Sequence, residues 1–133
     1  FVTTAFANIG LSGDYGGSWV LTRLVGPALA KGMYMTARRL PAEECLVLGI
    51  ANRVVLFDEL QQTANELARQ VANGPRTAVR YMKENINFAQ GADLKASLAQ
   101  EADRMVRCSR TDDHREAVRA FMEKRPPRFN RPA

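Results

Sequence analysis

The chain carries, close to its start, the run Ile9-Gly10-Leu11-Ser12-Gly13-Asp14-Tyr15-Gly16-Gly17-Ser18-Trp19. Glycines surround a single carboxylate in this run, and glycine permits positive φ angles and close backbone approach. The apolar segment 19–25 that follows has the composition of a buried helix. The pattern therefore predicts a tight loop that holds Asp14 just before the N-terminus of a helix.

Three roles remain open for Asp14 when only the residues are considered. An aspartate in a glycine-rich loop usually braces the turn or caps the next helix. A nucleotide-binding loop is a second role, although the G-x-G-x-x-G and G-K-S/T spacings are absent. The third role is a general base or nucleophile, held in an apolar pocket built by Leu11, Tyr15 and Trp19 and suited to proton abstraction next to a carbonyl.

The rest of the sequence is predicted to be mainly helical. Proline, aspartate and threonine mark helix starts, and apolar residues recur at helical spacing. Helices are expected at 19–25, 28–36, 42–48, from 58 to 73, 76–89, from 93 to about 110, and from 112 to about 124. The β-branched segment 51–56 predicts one strand, and 7–11 a short extended stretch. A lone strand has unpaired edges, so another part of the polypeptide or another subunit should supply its partners.

Composition and charge exclude several classes of protein. The 133 residues are 46% hydrophobic and 25% charged, as expected for one globular domain and not for collagen, a low-complexity tract or a disulfide scaffold. No run of 18 apolar residues occurs, so no membrane partner is expected. The net charge of +5 arises entirely within 104–133. This basic end could attract anions, but a solvated helix explains it more simply, and we expect no nucleic-acid partner.

The other potentially reactive side chains give weaker signals. Cys45 and Cys108 lie far apart without a CxxC motif, which favours free thiols in a reducing, cytoplasmic setting. The single histidine, His114, stands among charged neighbours and is expected to be solvated. No grouping typical of a metal site is visible. The chain begins at Phe1 without an initiator Met, as a mature protein or a fragment could.

The loop and the sequence around it resemble a known family. The loop run and the following Leu21-Thr22-Arg23-Leu24-Val25-Gly26 are similar to the pattern IGL-x-PD-x-GG-x-x-x-L-x-R-x-VG of the crotonase (enoyl-CoA hydratase/isomerase) superfamily. Matching pieces follow in the family's order, and together they cover essentially the whole chain. They are RRLPAEEC at 38–45, LGIANRVV at 48–55, Lys83 and AFMEKR at 120–125.

The resemblance implies an α/β, crotonase-like spiral fold, of which this chain is the mostly helical C-terminal half with one or two short strands. Residues 1–57 would form the C-terminal part of the core. Residues 58–133 would form a helical region for trimerisation and coenzyme A contacts. The other half of the fold would carry the oxyanion-hole groups and most of the sheet, so the chain alone is expected to be inactive.

The resemblance also assigns the catalytic position. Branches with aspartate in this loop, including some enoyl-CoA isomerases and a dehalogenase, use it as base or nucleophile, and Asp14 occupies that position. Gly13 stands where proline is common, and a similar Ser-Gly-Asp loop occurs in the branch that closes the naphthoate ring. Hydratases use two glutamates, of which one would fall at Phe6, and a phenyl ring cannot transfer a proton.

For the substrate, the resemblance implies an acyl-CoA thioester, with coenzyme A bound as part of the substrate and no separate cofactor. Phe6, Tyr15 and Trp19 would line the acyl pocket, and Phe121 and Lys124 would approach a neighbour's coenzyme in a homotrimer or hexamer. The expected activity is isomerase-type proton transfer through a thioester enolate. The alternatives are hydration with residues from the other half, or a non-catalytic assembly fragment.

Overall fold

A computed structural model describes residues 1–130, and the chain divides into two compact units after Glu59. The boundary assigned from the sequence, at 57/58, lies two residues earlier, and the roles ascribed to the two parts stay predictions. Within the described residues, the helices are α1 (Gly17–Thr36), α2 (Ala42–Val47), α3 (Leu60–Ala72), α4 (Arg76–Ala89), α5 (Leu94–Ser109) and α6 (Asp112–Met122). Short 3-10 turns occur at Phe6–Ile9 and Phe57–Glu59.

The helix boundaries follow local signals in the sequence. Gly26 leaves the helical region (φ 78°, ψ 163°), so α1 is kinked where Pro27 restarts it. The carboxylate of Asp93 accepts a hydrogen bond from the Ala96 N–H at 2.7 Å and caps α5. The hydroxyl of Thr111 caps α6 in the same way. The predicted mainly helical character and most of the predicted ends are confirmed.

The two predictions of extended structure are wrong. Residues 51–56 form no strand, because nothing among residues 1–130 offers a partner edge for their N–H and C=O groups. The one bridge within the described residues is antiparallel and joins Val2 to Leu40, with N–O distances of 2.9 and 2.8 Å. The stretch at 7–11 is largely a 3-10 turn, closed by left-handed backbone at Ala5 (φ 30°) and Gly10 (φ 70°).

The first unit has a small apolar core at the C-terminal end of α1. Met33 and Leu40 are 1% and 0% exposed and pack with the buried Cys45. Thr3 and Thr4 tie the N-terminal segment to this end of the helix, since their hydroxyls donate to the carbonyls of Ala37 (3.1 Å) and Met33 (3.0 Å). The segment that leads into the Asp14 loop is thereby anchored to α1.

Polar contacts join the elements of the second unit. Arg104 on α5 donates to Asn85 at 2.6 Å and pairs with Glu84 at 2.8 Å, and both partners lie on α4. The segment after α6 folds back along that helix, because Arg125 donates to Glu116 at 2.6 Å. Asn130 extends this contact to the Gly74 carbonyl at 2.8 Å. Across residues 1–130 no helix is both long and apolar enough to cross a membrane.

Candidate active site

The loop that carries Asp14 turns sharply just before α1. Gly13 (φ 109°), Tyr15 (φ 49°) and Gly16 (φ 71°) all have left-handed backbone conformations. The Gly17 N–H donates to the carbonyl of Asp14 at 2.9 Å and closes the turn. The predicted tight loop before a helix is confirmed.

The carboxylate of Asp14 is exposed and has no partner among the described residues. No hydrogen bond or ion pair engages it within residues 1–130, and α1 begins at Gly17, after the N-cap Gly16, without a side-chain cap. Within the described residues, the side chain of Asp14 therefore neither braces the turn nor caps α1, which was one of the roles that the sequence left open. The carboxylate remains available to a substrate.

The described residues do not enclose Asp14. Tyr15 is 100% exposed, Trp19 is 51% exposed, and Leu11 is exposed as well. The ring of Trp19 packs instead under its own helix neighbour Arg23, whose guanidinium carbon lies 3.6 Å from the ring centroid, a cation–π contact. The assignment of Tyr15 and Trp19 to the acyl pocket stays a prediction.

Phe6, which was expected to line the acyl pocket, forms an aromatic pair with Tyr34 beside the loop, and its place in the acyl pocket stays a prediction. The rings of Phe6 and Tyr34 are stacked, with centroids 6.0 Å apart and an interplanar angle of 8°. Tyr34 also reaches the loop, where a Cβ atom placed on Gly17 would lie only 2.5 Å from its hydroxyl oxygen. The sequence gave no signal of this contact.

The two residues expected to approach coenzyme A belong to the second unit. Phe121 is 81% exposed near the end of α6, and Lys124 is exposed just beyond it. Lys124 has a left-handed backbone conformation, with φ 51°. Their contacts with coenzyme A stay predictions.

Several other titratable groups of the described residues form surface ion pairs. A hydrogen bond from Arg107 lowers the pKa of the Asp103 carboxyl, and the charges of Arg107 and Arg104 act in the same direction against desolvation. His114 is exposed, and both cysteines are free thiols. Among the described residues, no three potential ligands come close enough to hold a metal ion.

Comparison with known proteins identifies the family. The family model described as enoyl-CoA hydratase/isomerase matches residues 2–132. The chain belongs to the enoyl-CoA hydratase/isomerase family. The resemblance found in the loop and in the later motifs is confirmed.

Named relatives and solved structures agree on this family. The chain is 37% identical over 117 residues to a short-chain-enoyl-CoA hydratase of Clostridium acetobutylicum, covering 88% of this chain and 45% of that protein. It is 38% identical over 125 residues to the 1,2-epoxyphenylacetyl-CoA isomerase of Escherichia coli, covering 94% and 48%. The crystal structure of an enoyl-CoA hydratase from Polaromonas sp. JS666 superposes with a TM-score of 0.90 at 33% identity, covering 95% and 49%.

The comparisons also establish the fold and its extent. The match at a TM-score of 0.90 confirms the crotonase-like fold, to which this chain contributes a mostly helical part. The chain spans about half the length of the relatives it matches. The names of those relatives include both hydratases and an isomerase, so membership of the family does not by itself choose the reaction.

Proposed function

We propose that this family member acts on an enoyl-CoA thioester and that Asp14 moves a proton between carbons of the acyl chain. The observation that carries the proposal is the free carboxylate of Asp14, exposed in a turn immediately before α1. A general base must reach the proton it abstracts, and a carboxylate engaged as a cap could not.

The reaction follows from the acidity of carbon next to a thioester. Asp14 takes a proton from carbon 2 of a 3-enoyl-CoA, and the electron pair is delocalised onto the thioester oxygen as a dienolate. The protonated Asp14 then returns the proton at carbon 4, which gives the 2-enoyl-CoA. Hydrogen-bond donors to the thioester oxygen would stabilise the dienolate. By the family resemblance, they come from the part of the fold outside this chain.

The proposal includes the surroundings of the site. We define the parent polypeptide as this chain together with any sequence encoded before or after it in the same reading frame. The large apolar residues exposed along the helices, such as Phe57, Leu94, Met105 and Phe121, fit burial against further polypeptide or other subunits. A homotrimer or hexamer, a cytoplasmic location and coenzyme A contacts from Phe121 and Lys124 are part of the same proposal.

The test uses the parent polypeptide with a 3-enoyl-CoA and a 2-enoyl-CoA offered separately, and products identified by mass and chromatography. We expect a mass-neutral shift of the double bond, and a loss of about 10²- to 10⁴-fold in kcat in Asp14→Asn. The matched control is Asp58→Asn, at an exposed carboxylate in the same unit, which should keep the full rate. Full activity of Asp14→Asn would place the base elsewhere.

Hydration is the second candidate, and the name of the Clostridium relative favours it. Gain of one water from the 2-enoyl substrate would identify it. Phe6, which cannot transfer a proton, stands against a two-glutamate mechanism in which this position contributes. Turnover of neither substrate would point to hydrolysis, ring closure or dehalogenation within the same fold, and the non-catalytic assembly role would follow only if those reactions also failed.

A further inference from the structure

The side chain of Tyr34 touches both glycines that flank the turn. A Cβ atom placed on Gly13 would lie 2.9 Å from Tyr34 Cε1, and one placed on Gly17 would lie 2.5 Å from the Tyr34 hydroxyl oxygen. Neither a carbon–carbon contact of 2.9 Å nor a carbon–oxygen contact of 2.5 Å forms without displacement, so the absence of a Cβ at these positions allows the ring to lie where it does. One side chain therefore contacts the loop on both sides of Asp14.

Tyr34 is itself supported by the anchored part of the unit. The ring of Phe6 stacks on the ring of Tyr34, with centroids 6.0 Å apart and nearly parallel planes. The next residue toward the N-terminus of α1 is Met33, which is 1% exposed in the apolar core and whose carbonyl accepts from Thr4. The ring thus extends from the best-packed part of the unit to a loop whose carboxylate is exposed.

We propose that Tyr34 is a positioning residue that sets the place of the Asp14 carboxylate through its contacts with Gly13 and Gly17. This inference rests on the proposed role of Asp14 as the base. Asp14 has no side-chain partner among residues 1–130, so the backbone of its loop decides where the carboxylate lies. A displacement of about 1 Å between reacting groups can slow a reaction by roughly 10²-fold.

The geometry supplies a rescue experiment. In Gly17→Ala the new methyl group meets the Tyr34 hydroxyl at 2.5 Å and must displace the ring or the loop. In Gly17→Ala/Tyr34→Phe that oxygen is gone, and the nearest remaining ring atom, Cζ, lies at an ordinary 3.9 Å. We therefore expect Gly17→Ala to lower kcat by about 10- to 100-fold, and the double variant to return to the level of Tyr34→Phe.

The kinetic pattern separates positioning from binding and from folding. Tyr34→Phe keeps the ring and should slow kcat by no more than about threefold, whereas Tyr34→Ala removes it and should slow kcat at least tenfold. KM should change little in each case, since the loop acts on the reacting carbon. The control is Gly32→Ala, in the same helix as Gly17 and Tyr34. No atom lies within 4 Å of the added carbon, so this variant should have the kcat and KM of the unmodified protein.

The assay is run on the parent polypeptide with the preferred enoyl-CoA, alongside Asp14→Asn and the unfolding temperature of every variant. If Asp14→Asn abolishes turnover while folded Gly17→Ala keeps the full rate, the Tyr34 inference is wrong and the proposed function stands. Failure of Tyr34→Phe to rescue Gly17→Ala also overturns it. If Asp14→Asn keeps the full rate, the proposed function fails and the positioning role fails with it.

Discussion

Lys124 occupies a backbone position that favours glycine, and this predicts opposite effects on stability and on coenzyme binding. The Arg125 N–H donates to the Ala120 carbonyl at 3.0 Å, and the Lys124 N–H donates to the Phe121 carbonyl at 3.2 Å. These two bonds form a Schellman motif at the end of α6, whose left-handed residue is usually glycine. Lys124, with φ 51°, fills that position.

The stability change in Lys124→Gly can be worked from the backbone. A left-handed conformation costs a residue with a Cβ roughly 1–2 kcal/mol. Glycine avoids that cost but gains about 0.5–1 kcal/mol of additional freedom in the unfolded chain. The net expectation is a gain of about 0.5–1 kcal/mol, equivalent to a rise of roughly 2–6 °C in unfolding temperature.

The binding change depends on the ammonium group alone. If Lys124 pairs with a coenzyme A phosphate, its loss removes a charge-assisted hydrogen bond worth about 1.5–3 kcal/mol, which is roughly 10- to 100-fold in Kd. Lys124→Ala is the matched control, because it removes the ammonium group and keeps the left-handed cost. Affinity should therefore fall equally in both variants, whereas stability should rise only in Lys124→Gly.

Calorimetric titration of the parent polypeptide with coenzyme A measures the affinity, and thermal unfolding without ligand measures the stability. An unchanged Kd in Lys124→Ala would show that the side chain does not contact coenzyme A. Equal unfolding temperatures for Lys124→Gly and Lys124→Ala would refute the reasoning about the backbone. The two parts of the prediction can thus fail separately.

Two further predictions concern the stability of each unit. Leu40→Ala should cost about 2–5 kcal/mol in denaturant unfolding, because Leu40 is fully buried, whereas the exposed control Lys31→Ala should change stability by no more than about 0.5 kcal/mol. Asp103→Asn should be less stable than the unmodified protein at pH 7 and equal to it near pH 2. The folded-state pKa of Asp103 is depressed by Arg107, so its contribution is present above the unfolded pKa of about 3.9 and is lost as the pH falls through the folded value. Because this pair is exposed, the difference at pH 7 should shrink in high salt.

The features that could be predicted from the sequence are those set by neighbouring residues. The bounds of α4 follow from Pro75 and the apolar spacing. The starts of α5 and α6 follow from the capping residues Asp93 and Thr111, each of which accepts a hydrogen bond from an N–H three residues later. The turn around Asp14 could be predicted because Gly13, Gly16 and Gly17 lie within a few residues of each other in the sequence. Local signals of this kind depend on no other part of the fold.

The features that could not be predicted depend on distant partners. The segment 51–56 has strand composition, but a strand forms only beside another, and the described residues supply none. The exposure of Tyr15 has the same origin, since no described residue covers it. The contact of Tyr34 with Gly13 joins residues 21 positions apart, at a spacing that no periodicity marks.

Phe6 connects the choice of reaction to the packing of the loop. The family resemblance places at this position one of the two glutamates that hydratases use, and a phenyl ring cannot take that role. In this chain the ring stacks on Tyr34, and Tyr34 in turn contacts the glycines on both sides of Asp14. A carboxylate at position 6 would remove the apolar surface on which Tyr34 rests. If Asp14 is the base, as proposed, phenylalanine at position 6 supports the packing of the loop that carries this base and supplies no second proton-transfer group.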